Sequence, residues 1–279
     1  MIVPELPEVE TVKKVLKSRL NALKVRDVFI HYDKMIKTSD ADCFKGKVIG
    51  QTFVDVGRRG KYLIFELDDY NLLSHLRMEG KFFYGNDASI GDKHVHVEFL
   101  LCNGMKLRYE DVRKFGTFHL YEKGVTLEST PTFSVLGPEP WADEFNVDYV
   151  VEFLKGKKIS IKSMLLSQKV VAGLGNIYAD EVLFAANTHP MKRSGDLTHK
   201  EVKNVVHYTK EILSKAIQHK GTTIRTFSSQ HGQDGEFQNF LQVHTKKDDP
   251  CPSCGSRILK MKVGGRGTYY CAVCQPEGY

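Results

Sequence analysis

Cys251 and Cys254, then Cys271 and Cys274, form two C-x2-C pairs separated by sixteen residues. That is the spacing of a four-thiolate zinc ribbon, in which each pair folds into a tight knuckle and offers two sulfurs to one metal ion. It constrains the chain more than any other feature, because so short a hairpin has no core of its own and folds on its metal. Disulfides or idle thiols are the competing reading. Nothing in the sequence suggests export, so one structural zinc ion is expected. Between the pairs, residues 258–263 alternate apolar and basic side chains, as a strand with one wet face does, and residues 264–267 (GGRG) supply a hairpin turn. From Cys251 onward Arg257, Lys260, Lys262 and Arg266 stand against a single acid, Glu277. A metal-stiffened basic finger tipped by arginine points to a phosphate-bearing partner.

With 279 residues, the chain has material for two further domains, and its +6 formal charge is a mild pointer to a polyanion. No apolar run approaches the roughly eighteen residues of a membrane span, and the first residues lack a basic-then-apolar signal pattern. A soluble cytoplasmic protein is therefore expected, and the expected state is a monomer. Cys43 and Cys102 read as structural thiols in a reducing compartment.

The stretch PELPEVET (residues 4–11) opens a helix, with prolines suited to a first turn and Glu5, Glu8 and Glu10 near the positive end of the dipole. Val9, Val12, Leu16 and Leu20 make its apolar stripe. If Pro4 carried a free amine at this helix start, its pKa would be lowered and more free base would be available to attack a carbon electrophile. Glu5 beside it could move protons. Residues 28–30, 48–56, 62–67, 72–76, 94–99 and 117–121 read as short strands without intervening helices, which implies a β-sandwich or barrel. Residues 57–61 (GRRGK) read as a turn carrying three cations.

Residues 75–81 and 111–116 each set a large apolar side chain, Met78 or Phe115, beside an arginine, Arg77 or Arg113, and a glycine. Core packing is the ordinary role for such residues; a wedge into a base stack is the functional one, because an enzyme that extrudes a base must fill the gap. Residues 131–140 read as a linker. Helices follow at 147–154, 161–168, 177–186 and 200–218; residues 172–175 make a glycine turn between two of them, and Asn176 is expected to cap the second. Lys155, Lys157, Lys158 and Lys162 lie ahead of that turn, and residues 221–235 form a polar, glycine-rich loop.

Taken together, PELPEVET, RRGKYL (58–63), HLRMEG (75–80), RKFG (113–116), AGLGNIY (172–178), TIRTF (223–227) and the ribbon resemble the formamidopyrimidine-DNA glycosylases from end to end. The resemblance implies an α+β fold: a leading helix and β-sandwich (1–138), a helix–two-turn–helix domain (139–244) and a zinc ribbon (245–279), with damaged double-stranded DNA held between the first two. It implies removal of oxidised purines and β,δ-elimination at the abasic site, in a bacterial cytoplasm where the bound enzyme is nucleoid-associated. By the same resemblance Pro4 is the nucleophile at C1′, Glu5 an acid/base, Lys61 the proton donor of β-elimination and Arg266 the donor of δ-elimination. His94, Arg113, Lys157 and Asn176 match DNA contacts. Met78, Arg113 and Phe115 match the trio that fills the void, and residues 222–227 match the loop over the flipped lesion.

One departure stands out: Met1, Ile2 and Val3 precede Pro4, and an acylated proline has no nucleophilic lone pair. Because the valine codon GTG also serves as a bacterial start, translation is expected to begin at position 3, with its methionine clipped to leave Pro4 terminal. Two alternatives remain: an endonuclease VIII-type glycosylase for oxidised pyrimidines, against which Leu6 argues, and a non-catalytic zinc-ribbon binder of lesion DNA.

Overall fold

The computed structural model describes residues 3–86, 92–222 and 235–277. The chain divides into two compact units, Met1–Ser134 with Lys220–Gly235, and Val135–His219 with Glu236–Tyr279.

The first unit opens with α1 (Leu6–Leu20), started by a capping box between Glu5 and Glu8 and by proline in the first turn. Its stripe of Val9, Val12, Leu16 and Leu20 is at most 4% exposed and joins the sandwich core. Among the described residues eight strands follow: β1 (Val25–Ile30), β2 (Asp55–Arg59), β3 (Tyr62–Glu66), β4 (Tyr70–His75), β5 (Lys81–Tyr84), β6 (Val95–Leu101), β7 (Lys106–Glu110) and β8 (Thr117–Glu122). They form two antiparallel four-stranded sheets, β1-β6-β7-β5 and β2-β3-β4-β8. Phe53, Phe65, Phe82, Phe99 and Phe118 fill the core, with edge-on pairs such as Phe53–Phe65 at 5.8 Å and Phe82–Phe118 at 6.2 Å.

The expected β-sandwich is present, with corrections. Of the strand expected over residues 48–56, only Asp55 and Val56 are strand, as the start of β2. Helix α2 (Ala41–Val48) ends where that strand was placed, because Asp40 caps it through the Cys43 N–H (2.7 Å) and Phe44 and Val48 bury its inner face. Strands β5 (KFFY) and β7 (KLRYE) are not among the expected strands; each is only four or five residues long. His94 closes a 3-10 turn and β6 starts one residue later. Cys43 and Cys102 are exposed, so neither is a structural core thiol.

The second unit contains α3 (Val147–Leu154), α4 (Ile161–Leu166), α5 (Asn176–Ala185), α6 (His199–Gln218) and the ribbon hairpin β9 (Leu259–Val263) and β10 (Arg266–Tyr270). The loop between α4 and α5 wraps around Gln168, whose amide donates to the Leu174 carbonyl and whose Oε1 accepts the Gly173 N–H at 2.8 Å. The ribbon does not stand alone: Cys251, Ile258 and Cys271 pack with Val243 and with Phe184 of α5. Among the described residues, no helix is long and apolar enough to cross a membrane.

Candidate active site and nucleic-acid contacts

In the first unit, Pro4 is buried directly ahead of Glu5, which caps α1 and is 1% exposed. Glu8 organises this helix head. Its carboxylate accepts the Glu5 N–H at 2.9 Å and, through the other oxygen, the Thr222 N–H at 2.9 Å and hydroxyl at 3.1 Å. A side chain on Gly221, whose φ of 75° is left-handed, would strike that carboxylate. In the sequence Glu8 is legible as a partner of the helix dipole; its place three residues after the cap is the capping-box signal that also marks it. Thr222 begins the loop expected over the lesion; residues 223–227 lie outside the described residues.

Lys61 stands on a two-residue turn with Gly60 between β2 and β3, so the turn is narrower than the expected five residues. Arg58, expected on that turn, is a strand residue and folds back onto the protein. Its side chain donates to Glu10 of α1 (3.0 Å) and to the Gly60 carbonyl (2.9 Å). Burial alone would raise the Glu10 pKa, but Lys13 and Arg58 hold its carboxyl below the ordinary value.

His75 sits at the foot of the Met78 loop, edge-on to Tyr62 at 4.5 Å. Burial drives its imidazole well below the ordinary pKa, helped by the Arg77 and Lys61 charges nearby. The neutral ring accepts the Arg77 N–H at 2.9 Å. Arg77 has a left-handed φ of 55°, and Met78 beyond it is half-buried and outside the core.

The second loop is shaped by Asp111, which is fully buried. Its carboxylate accepts the N–H groups of Arg113 (3.0 Å), Phe115 (2.9 Å) and Gly116 (2.8 Å), and its carbonyl meets His96 Nε2 at 2.9 Å. Lys114 takes a left-handed φ of 58° between the two side chains it separates. Phe115 is 50% exposed, with the Arg113 guanidinium 4.8 Å above its ring. A core role for Phe115 is excluded. Asp111 was missed, although an aspartate ahead of a glycine turn is a recognised turn former. His94 adjoins this loop through its carbonyl, which accepts the Asp111 N–H at 3.0 Å.

In the second unit, Gly264 (φ 56°) and Gly265 (φ 76°) make the ribbon turn, and Arg266 is the exposed first residue of β10 rather than part of the turn. Asn176 is the first residue of α5, and Gly175, not Asn176, occupies the cap position. The Asn176 amide donates to the Gly267 carbonyl at 2.9 Å, which places the α5 terminus against the residue after Arg266. Lys162 reaches the same carbonyl (3.2 Å) and the Thr268 hydroxyl (2.8 Å), a role not read from the sequence. Lys157 stands apart, exposed on the α3–α4 connection, where its carbonyl accepts the Gly195 N–H at 2.9 Å.

The four ribbon cysteines place their Sγ atoms within 4.8 Å of one another; Cys251–Cys274 is 3.8 Å and Cys254–Cys271 is 3.5 Å. Tetrahedral Zn–S bonds of about 2.3 Å require sulfurs about 3.8 Å apart, so the donor set fits zinc.

Three sequence profiles match the chain in order: the formamidopyrimidine-DNA glycosylase N-terminal domain over residues 3–118, its H2TH domain over 136–228, and the zinc finger found in FPG and IleRS over 248–276. The chain belongs to the formamidopyrimidine-DNA glycosylase family. The formamidopyrimidine-DNA glycosylase of Oceanobacillus iheyensis is 47% identical over 275 residues, covering 98% of each chain. That of Bacillus subtilis is 44% identical over 98% of this chain and 99% of its own. Among solved structures, a Lactococcus lactis FPG mutant bound to Fapy-dG-containing DNA superposes with a TM-score of 0.91 at 42% identity, covering 98% of this chain and all of that one. A MutM complex with DNA containing carbocyclic 8-oxo-G gives 0.90 at 40% identity. The four ribbon cysteines thus fall inside the matched zinc finger, clustered so that they can hold one zinc ion.

Proposed function

We infer that this protein is a base-excision repair glycosylase that removes oxidised purines, 8-oxoguanine and formamidopyrimidines, from duplex DNA and cuts the abasic strand. The observation that carries the reading is the head of α1. There Pro4 adjoins Glu5, and Glu8 ties that corner to Thr222, where the lesion loop begins. Membership of the family and relatives solved with Fapy-dG, 8-oxo-G and abasic DNA support the substrate class. The Pro4 amine attacks C1′, the glycosidic bond breaks and the base leaves with a proton. Glu5 protonates the ring oxygen, so the sugar opens and an iminium forms. Lys61 supplies the proton transfer of β-elimination and Arg266 that of δ-elimination, while each holds a phosphate. His94, Lys157 and Asn176 grip the backbone, and Met78, Arg113 and Phe115 fill the void left by the extruded base. Zinc, when bound, stiffens the finger that presents Arg266; it has no part in the bond-breaking steps. The protein acts as a monomer in the cytoplasm, on the nucleoid when bound.

The endonuclease VIII-type alternative is not favoured, since relatives at 43–47% identity carry the formamidopyrimidine name. The test is borohydride trapping on a duplex with one 8-oxoguanine. A covalent protein–DNA adduct is expected, and binding without any adduct would leave the non-catalytic binder as the better account.

A further inference from the structure

Tyr109 of β7 is 0% exposed, and its ring lies edge-on to Phe118 at 4.9 Å and Phe82 at 5.1 Å. Its position alone would make it a core aromatic. What sets it apart is where its hydroxyl ends. A Cβ built on Gly80 would overlap that hydroxyl and stand 2.8 Å from the ring carbon bearing it; a Cβ on Gly116 would overlap the hydroxyl too, at 2.6 Å from the same carbon.

These glycines belong to the two loops that carry the void-filling side chains. Gly80 lies two residues after Met78 and closes that turn by donating to the Leu76 carbonyl at 2.9 Å. Gly116 follows Phe115 and is held by Asp111 at 2.8 Å. Neither has a left-handed φ, so glycine is required at both for space and not for backbone conformation. Both loops also carry a left-handed cation, Arg77 and Lys114, so each has a defined, costly shape that its surroundings must maintain. Burial and the neighbouring Asp111 carboxylate push the Tyr109 pKa up, so the hydroxyl stays neutral.

We propose that Tyr109 is a positioning residue that couples the two loops, so that Met78 and the Arg113–Phe115 pair enter the stack as one unit and not as independent wedges. The proposal rests on reading those three side chains as void fillers. A close-packed strut shared by two backbone turns transmits displacement, since neither glycine can shift toward it without moving the ring, and the ring cannot yield without opening the other contact. Gly80 and Gly116 are thereby linked across 36 positions of sequence by one phenol.

The test is a double-mutant cycle read by binding, which does not depend on the chemistry at Pro4. Affinities of the full-length protein are measured for a duplex with a tetrahydrofuran abasic analogue and for the undamaged duplex. Met78→Ala, Phe115→Ala and the double variant are compared in the parent and in Tyr109→Leu. In the parent, each single change lowers the preference for the abasic duplex, and the double loss departs from the product of the singles by about tenfold. In Tyr109→Leu the losses multiply, and 2-aminopurine opposite the abasic analogue no longer reports full unstacking. Tyr109→Phe, which keeps the ring and fold, shows part of the same effect and serves if the leucine variant does not fold. Multiplicative losses in the parent, or the same coupling in both Tyr109 variants, would overturn the strut while leaving the wedge reading in place. If neither single change alters the preference, the wedge reading itself fails and the strut falls with it.

Discussion

The Lys162 ammonium stands 2.6 Å from the Asp180 carboxylate, and both side chains are 0% exposed. The same carboxylate meets His244 Nδ1 at 2.7 Å and accepts the Tyr269 N–H at 3.3 Å, so α4, α5 and β10 converge on one buried charge pair. Such a pair contributes little net stability, but breaking it leaves an uncompensated charge in the interior. Lys162→Met alone is expected to cost roughly 3–5 kcal/mol. The double change Lys162→Met with Asp180→Leu should cost less than either single change. Denaturant titration of the three variants checks this; a double variant as unstable as the sum of the singles would contradict it.

Zinc holds the ribbon, and the ribbon packs on Phe184 through Cys251, Ile258 and Cys271. Cys254→Ser is expected to release the metal, loosen β9 and β10 and weaken DNA binding, while the sandwich unit keeps its fold. Metal analysis should find about one zinc per parent chain. Tight DNA binding by a zinc-free variant would count against this account.

The imidazoles of the first unit set a pH dependence. Burial drives His75 well below its ordinary pKa, and burial with Lys37 and Arg77 takes His119 down to about 4. In the unfolded chain both titrate near 6.5. As pH falls from about 6.5 to about 4, the unfolded state therefore takes up protons that the folded state refuses, and stability is lost across that window. Glu10 and Glu98, whose pKa values are lowered, lose their contribution only below about 4.5. The urea midpoint should fall between pH 7 and pH 5, and less so in His119→Gln. Parallel profiles for parent and variant would exclude His119 as a source.

Phosphate contact and void filling should separate by mutation. Lys157→Ala is expected to weaken binding to damaged and undamaged duplex alike and to reduce the salt slope by about one unit. Arg113→Ala should reduce lesion processing far more than binding to undamaged duplex. Equal losses in both assays for both variants would merge the two roles.

The trapped species should form through Pro4, which requires a free amine there. The active protein is expected to begin at Pro4, without Met1, Ile2 and Val3. Intact mass of the native protein measures it. A protein that retains those three residues and still forms a borohydride adduct would move the nucleophile elsewhere, with Lys61 the first amine to examine.

What the sequence determined by itself was local. Cysteine spacing, the first-turn prolines and glutamates of α1, and the double glycine ahead of Arg266 each act through neighbours a few residues away, so the ribbon, the leading helix and its hairpin turn were legible. Where local signals conflicted, packing decided: residues 41–48 became α2 because Asp40 caps them and Phe44 and Val48 are buried. Other features came only from tertiary structure. Glu8 meets Thr222 across 214 positions, and Lys162 meets Gly267 across 105. Closing loops of that length depends on the whole core assembling, which no window of sequence encodes. Tyr109 looks like any buried aromatic until the β5–β7 pairing and the return from β7 to β8 bring two glycines onto its hydroxyl. Residue types therefore announced which chemistry was present, whereas the packing of distant segments determined which groups hold it in place.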